Sequence, residues 1–263
     1  MTRHFLTLED LGRDGLLAVL ERSAELKRLR GTAAHPRPLA GKSVGILLEK
    51  SSTRTRISFE VGVYELGGLP ITLKSGDIQL GRGESIEDSA RMFSRFLHAV
   101  VYRTFGHDRV EVLAAHSTVP VINGLSDLHH PLQILADLQT ARERLGRVQD
   151  LVVAWVGDGN NVAHSWIEAA TLLGFELRLA CPEGYDPNPA VVARARARGV
   201  GSIQLLRDAD AACRGADVVT TDVWVSMGQE GEANTRNQVF EAFTVDAHRI
   251  SLAARHAIFL HCL

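Results

Sequence analysis

Two arginines, Arg54 and Arg56, stand in the stretch S-S-T-R-T-R, beside serine and threonine residues of the kind that open helices. A helix N-terminus already carries partial positive charge, so cations placed there oppose the dipole unless an anion joins them. Helix amides, hydroxyls and guanidinium groups converging on one spot make a phosphate site in its simplest form. The same residues also suit a plain cap by Ser52 or Thr53, with the arginines turned out to solvent or to Glu49 and Glu60.

Other chemistry-bearing residues follow apolar runs. Arg103 ends H-A-V-V-Y-R, where an arginine serves either as a ligand or as a surface ion pair. In S-D-L-H-H-P-L-Q, His130 precedes a helix whose first turn holds Pro131 and Gln133. Histidine and glutamine supply donors to a carbonyl or amide at little net charge, although a histidine here also serves as a local cap. V-G-D-G-N-N places Asn160 and Asn161 at a helix start, where side-chain amides suit a carboxylate or a zwitterion. This turn has the outline of a dinucleotide site, but it lacks the third glycine of G-x-G-x-x-G, and no clear acid closes the next strand. Asp222 ends V-V-T-T-D and suits an ammonium group; Met227 nearby reads equally as core filler. Cys262, just past A-I-F-L-H, is either an inert thiol or a reactive one.

The elements that must hold these residues alternate in kind. Short β-branched or apolar runs are separated by stretches of helical periodicity, the pattern of parallel α/β architecture. After an opening helix bearing Leu16, Val19, Leu20, Leu26 and Leu29 come S-V-G-I-L-L-E-K, L-P-I-T-L-K, H-A-V-V-Y-R-T and T-V-P-V-I-N-G as strands. Helices are expected from about Thr53, Ser85 and His107. A long helix, P-L-Q-I-L-A-D-L-Q-T-A-R-E-R-L-G, leads to a second series of strands: L-V-V-A-W-V-G, E-L-R-L-A-C, A-D-V-V-T-T-D and A-I-F-L-H-C. Its helices are expected after Asn160, after Asn188 and from Thr235 to Ala254. The fold class is therefore α/β with two parallel-sheet domains, 1–147 and 148–263. Ligands of such sheets bind beyond the carboxyl ends of the strands, where the residues above collect.

Composition narrows the partners. The chain has 263 residues with 29 Lys plus Arg against 31 Asp plus Glu, so no global basic field argues for nucleic acid or a membrane surface. Arg194, Arg196 and Arg198, at spacing two, spread around a helix instead of gathering on one face. Three scattered cysteines give neither a disulfide framework nor a Cys-x-x-Cys pair and fit a reducing, cytoplasmic compartment. The longest apolar runs are far short of a membrane span, and acids stand where a signal peptide needs an apolar core.

Taken in order, S-T-R-T, Y-R-T, H-P-x-Q, G-D-G-N-N, D-x-W-x-S-M-G and H-C-L resemble the transcarbamylases, and among them the ornithine carbamoyltransferases, over essentially the whole chain. The resemblance implies a carbamoyl phosphate-binding domain followed by a Rossmann-like amino-acid domain. It implies that Ser52, Thr53, Arg54 and Thr55 bind the phosphate, that Arg103 and His130 hydrogen-bond the carbamoyl carbonyl, and that Gln133 orients the carbamoyl group. Gln79 matches a loop lent to a neighbouring subunit's site, which implies a homotrimer or a multiple of one. Asn161, Asp222, Ser226 and Met227 match positions that hold the amino-acid end of L-ornithine, and Cys262 and Leu263 lie by the carbamoyl group. No metal or organic cofactor is implied. Members of the family continue past H-C-L with a proline, a further arginine and a last helix, so weak or no activity is expected of a chain ending at Leu263. The competing expectations are a transcarbamylase with another acceptor, a non-catalytic ligand-binding homologue, and, from the V-G-D-G-N-N turn alone, a nicotinamide-dependent oxidoreductase.

Overall fold

A computed structural model describes residues 2–74, 76, 83–225 and 230–262. The chain divides into two compact units, Met1–Leu132 and Gln133–Leu263. The first contains α1 (Gly12–Leu29), β1 (Ser43–Leu48), α2 (Thr53–Glu65), β2 (Leu69–Lys74), α3 (Ile86–Phe96), β3 (Ala99–Arg103), α4 (His107–His116) and β4 (Val121–Leu125). Its four strands run parallel in the order β2-β1-β3-β4. The central strands read as continuous apolar runs because helices cover both faces. Val100, Tyr102, Leu47, Phe93 and Leu113 pack in one core layer, and Val44, Val63 and Val101 in another.

Helix α5 (Pro131–Leu145) opens at the division between the units. The second unit continues with β5 (Val152–Val156), α6 (Asn161–Leu173), β6 (Glu176–Ala180), α7 (Pro189–Ala197), β7 (Ser202–Leu206), α8 (Ala209–Cys213), β8 (Val218–Asp222), α9 (Ala233–Phe240), α10 (Ala247–Leu252) and β9 (Ile258–Cys262). The sheet order is β7-β6-β5-β8-β9, again parallel throughout. That is the doubly wound arrangement, with its order reversing between β5 and β8. Helix α6 is buried on nearly every side, and Trp166 meets Phe175 edge to face.

Two expectations need correction. The strand β7 and the short helix α8 were absent from the sequence pattern: S-I-Q-L-L is an edge strand, largely exposed, and so lacks the apolar run that marks its neighbours. The helix expected from Thr235 to Ala254 is two, because the chain leaves α9 through a single 3-10 turn and Asp246 starts a new helix by accepting the N–H of Arg249 at 2.9 Å. Among the described residues, no helix is long and apolar enough to cross a membrane.

Candidate active site

In both units the sequence-derived residues gather where the strand order reverses. In the first unit this is between β1 and β3, whose ends are level: Leu48 pairs with Arg103 in register, and the N–H of Glu49 donates to the carbonyl of Arg103 at 2.9 Å. Ser52 is the N-cap of α2; its hydroxyl accepts the N–H of Thr55 at 3.2 Å and donates to Thr55 Oγ1 at 3.0 Å. Arg103, 6% exposed, reaches across from β3 and donates to Thr55 Oγ1 at 3.2 Å. Thr53 and Arg54 head the helix and face solvent.

The two arginines of S-T-R-T-R therefore part company. Arg56 turns along α2 to Glu60 at 2.9 Å, and Thr72 donates to the same carboxylate at 2.7 Å. Glu49 is taken by another arginine: Arg109 holds it with two bonds, 2.5 and 3.2 Å, and Thr104 donates to it as well. Burial alone would raise the Glu49 carboxyl, but the donors Arg109, Thr104 and Tyr102 outweigh it and hold it below the usual range. The same surroundings, burial foremost, push the Tyr102 phenol up to about 12. This set fixes the end of β3 and with it the root of Arg103. Nothing in the spacing of the sequence signals it, because Glu49 and Arg109 are 60 residues apart.

His130 lies at the mouth of the same unit. Burial first, then the positive charges of Arg103 and Lys50, pull its ring down to about 3. At neutral pH it is a neutral imidazole, able to donate one N–H to a carbonyl oxygen without bringing charge.

In the second unit the corresponding point lies between β5 and β8. The turn after β5 is tight: a Cβ on Gly159 would sit 2.2 Å from the backbone nitrogen of Pro187, so only glycine fits there. Asn160 caps α6 through Oδ1, accepting the N–H groups of Val162 at 2.9 Å and Ala163 at 3.2 Å. Its amide nitrogen donates to Asp222 Oδ2 at 2.8 Å, across the reversal of strand order. Asn160 thus shapes the turn and aims Asp222, while Asn161 opens the helix beside it. Burial raises the Asp222 carboxyl, against the hydrogen bonds from Val223 and Asn160. Cys262 on β9 stands in register with Asp222 on β8, so the thiol and the carboxylate share a face of the sheet. Gln133, in the first turn of α5, donates to Asp137 at 3.0 Å. Burial, with a further contribution from the charge of Asp222, lifts Asp137 to about 7 although Gln133 opposes the shift. In the sequence Asp137 reads as one more polar position on a helix, with no signal of its burial.

Gln79, Ser226, Met227 and Leu263 lie outside the described residues.

Residues 3–143 match the model of the aspartate/ornithine carbamoyltransferase carbamoyl-P binding domain, and residues 149–263 that of the Asp/Orn binding domain. The ornithine carbamoyltransferase of Halorhodospira halophila is 52% identical over 261 residues, 99% of this chain and 86% of the relative. That of Acidothermus cellulolyticus is also 52% identical, over 267 residues, covering all of this chain and 85% of the relative. Among solved structures, ornithine carbamoyltransferase from Pyrococcus furiosus superposes with a TM-score of 0.93 at 44% identity, covering 99% of this chain and 84% of that one. The anabolic ornithine carbamoyltransferase from Campylobacter jejuni gives 0.93 at 39% identity, covering 100% of this chain and 86% of its own. With both halves matched in the order in which their site residues occur, the chain belongs to the aspartate/ornithine carbamoyltransferase family.

Proposed function

We propose that the chain transfers the carbamoyl group of carbamoyl phosphate to the δ-amine of L-ornithine, giving L-citrulline and phosphate. The observation that carries this reading is the 52% identity to an ornithine carbamoyltransferase across 99% of the chain. An acceptor other than ornithine has no comparable support.

Carbamoyl phosphate belongs to the first unit. Its phosphate meets the head of α2, with Ser52, Thr53, Arg54 and Thr55, and the guanidinium of Arg103 serves both phosphate and carbonyl. The neutral δ-amine attacks the carbonyl carbon; a C–N bond forms, the carbonyl becomes an oxyanion, and collapse breaks the C–O bond to phosphate while the nitrogen gives up a proton. Thr55, Arg103 and His130 donate to the developing oxyanion, each such donor contributing roughly 3 kcal/mol in comparable sites. A neutral His130 suits that task, since its N–H strengthens as negative charge grows and needs no proton of its own to be lost. Gln133 orients the carbamoyl group.

The amino-acid end of ornithine belongs to the second unit, with Asn161, Asp222, Ser226 and Met227. An ammonium on ornithine has no lone pair, so the δ-nitrogen must lose a proton before attack; the pairing of Cys262 with Asp222 supports a role for the thiol in that loss. No acyl-cysteine is invoked. Holding two small reactants in line supplies a large part of the rest, about 7 to 11 kcal/mol in favourable cases.

A homotrimer, or a multiple of it, is the assembly this reading carries. Ile57, Val61 and Tyr64 line one face of α2 and are exposed, Tyr64 by 71%, which supports cover by a second copy of the chain. Sedimentation of the purified protein tests it, and a monomer at micromolar concentration would contradict it. The three free cysteines support a cytoplasmic location. The reaction is tested by phosphate release from carbamoyl phosphate with ornithine, with aspartate and with no acceptor. Release with ornithine alone is expected, and release with aspartate alone would overturn the assignment.

A further inference from the structure

The loop that delivers His130 is tied to the start of α4 through one hydroxyl. Ser126 is fully buried, His129 is 1% exposed and His107 is 9% exposed. Ser126 Oγ stands 2.8 Å from Nδ1 of His107, receives the N–H of His129 at 3.2 Å, and receives the Asn123 amide at 3.5 Å. The Ser126 N–H donates to the carbonyl of His129 at 2.9 Å. Asp127 closes the other side, accepting the N–H of His107 at 3.0 Å through its carboxylate and donating its own N–H to the carbonyl of Phe105 at 2.7 Å. The rings of His107 and His129 meet edge to face, 4.9 Å apart.

Donor counting assigns the proton in this set. A hydroxyl has one hydrogen and two lone pairs, and the lone pairs of Ser126 face the N–H groups of His129 and Asn123. Its hydrogen lies within reach of Nδ1 of His107 at 2.8 Å and of the carbonyl of His129 at 3.4 Å, and the shorter contact is favoured. This arrangement suits a neutral His107 with its proton on Nε2. A proton added at Nδ1 would set a second donor against the Ser126 hydroxyl and turn its hydrogen toward the carbonyl of His129 at 3.4 Å, on the residue directly before His130.

We propose that His107 is a positioning residue for His130, acting through Ser126, and that protonating its ring loosens the 126–130 loop and weakens carbamoyl transfer on the acid side. The proposal rests on the assignment of His130 to the carbamoyl carbonyl. The groups facing His107 are Glu111 on its own helix, 4.0 Å from Nε2, together with Asp108, Asp127 and Asp10. These favour the protonated ring, but burial outweighs them and holds it below the ordinary 6.5.

The test uses the full-length protein with ¹³C-labelled histidine. The His130 ring signal is followed against pH by NMR in the wild type and in His107→Asn, whose side-chain oxygen keeps an acceptor for Ser126 and cannot titrate. The wild-type His130 signal is expected to inflect with the His107 titration, and the inflection to vanish in His107→Asn. His107→Phe and Ser126→Ala are expected to lose about tenfold in kcat/KM for carbamoyl phosphate, the size of one buried hydrogen bond, with KM for the acceptor unmoved. His107→Asn should recover that loss relative to His107→Phe. An inflection that persists in His107→Asn, or is missing from the wild type, overturns the proposal. The NMR titration decides it without turnover, whereas silence of the wild type with every acceptor would instead remove the transfer reading.

Discussion

Replacing Asp137 by asparagine is expected to stabilise the folded chain above neutral pH. Asp137 is 7% exposed on α5, and burial, aided by the charge of Asp222, raises its carboxyl from 3.8 to about 7. A shift of that size corresponds to about 4 kcal/mol between the two protonation states. The sign follows from linkage: the folded chain holds this proton more tightly than the unfolded chain does. Below the unfolded value of 3.8 both forms are protonated and nothing is lost. As pH rises toward 7 the unfolded chain ionises while the folded chain does not, and stability falls by about 1.4 kcal/mol per unit. Above about 7 both are ionised and the penalty stands in full. Asparagine keeps an acceptor for Gln133 and the same shape, but has no charge to bury. Urea unfolding of both proteins between pH 5 and pH 9 reads the effect. The advantage of Asp137→Asn is expected to grow by about 3 kcal/mol from pH 5 to pH 8 and then level off. A difference that stays flat across this range would refute the argument that Asp137 is a buried, reluctant carboxylate.

Glu49→Gln should cost roughly 1 to 3 kcal/mol in thermal unfolding, because Arg109 and Thr104 lose the charged acceptor they share. It should also remove a component of wild-type stability that is present above the unfolded carboxylate value and is lost as pH falls through the depressed folded one. Arg103→Leu should lower kcat/KM for carbamoyl phosphate by about 10²- to 10³-fold, and a loss under tenfold would take Arg103 out of oxyanion stabilisation. Asp222→Asn should raise KM for ornithine by about 10- to 100-fold while that for carbamoyl phosphate changes little, as measured by steady-state kinetics. For Cys262→Ser, transfer should fall more at pH 7 than at pH 9, since serine has no accessible anion; full activity with an unchanged pH profile would remove Cys262 from proton handling.

The alternation of apolar runs with helical periods made the α/β class legible, because buried parallel strands cannot disguise their composition. The edge strand β7 escaped for the converse reason: with Gln204 at its centre and most of its length exposed, S-I-Q-L-L has no buried face to announce it. Ser52 was legible as a cap because capping is local. The contact between Arg103 and Thr55 was not, since it depends on β1 and β3 being neighbours, a fact of sheet order and not of spacing. Asn160 was legible as an amide at a helix start, but its bond to Asp222, 62 residues away, depends on β5 and β8 being neighbours. Asp137 and the Ser126–His107 pair carry no sequence signal of their own; burial and the neighbours that the fold supplies give them their chemistry.

Carbamoyl transfer to ornithine makes a bond between the carbamoyl carbon and the δ-nitrogen. The most direct measurement is ¹³C NMR of a reaction with ¹³C-carbamoyl phosphate and an equimolar mixture of L-ornithine and L-aspartate. The label is expected in the δ-ureido carbon of citrulline, at a rate set by enzyme concentration. Label appearing in carbamoyl-aspartate, with none in citrulline, would contradict it.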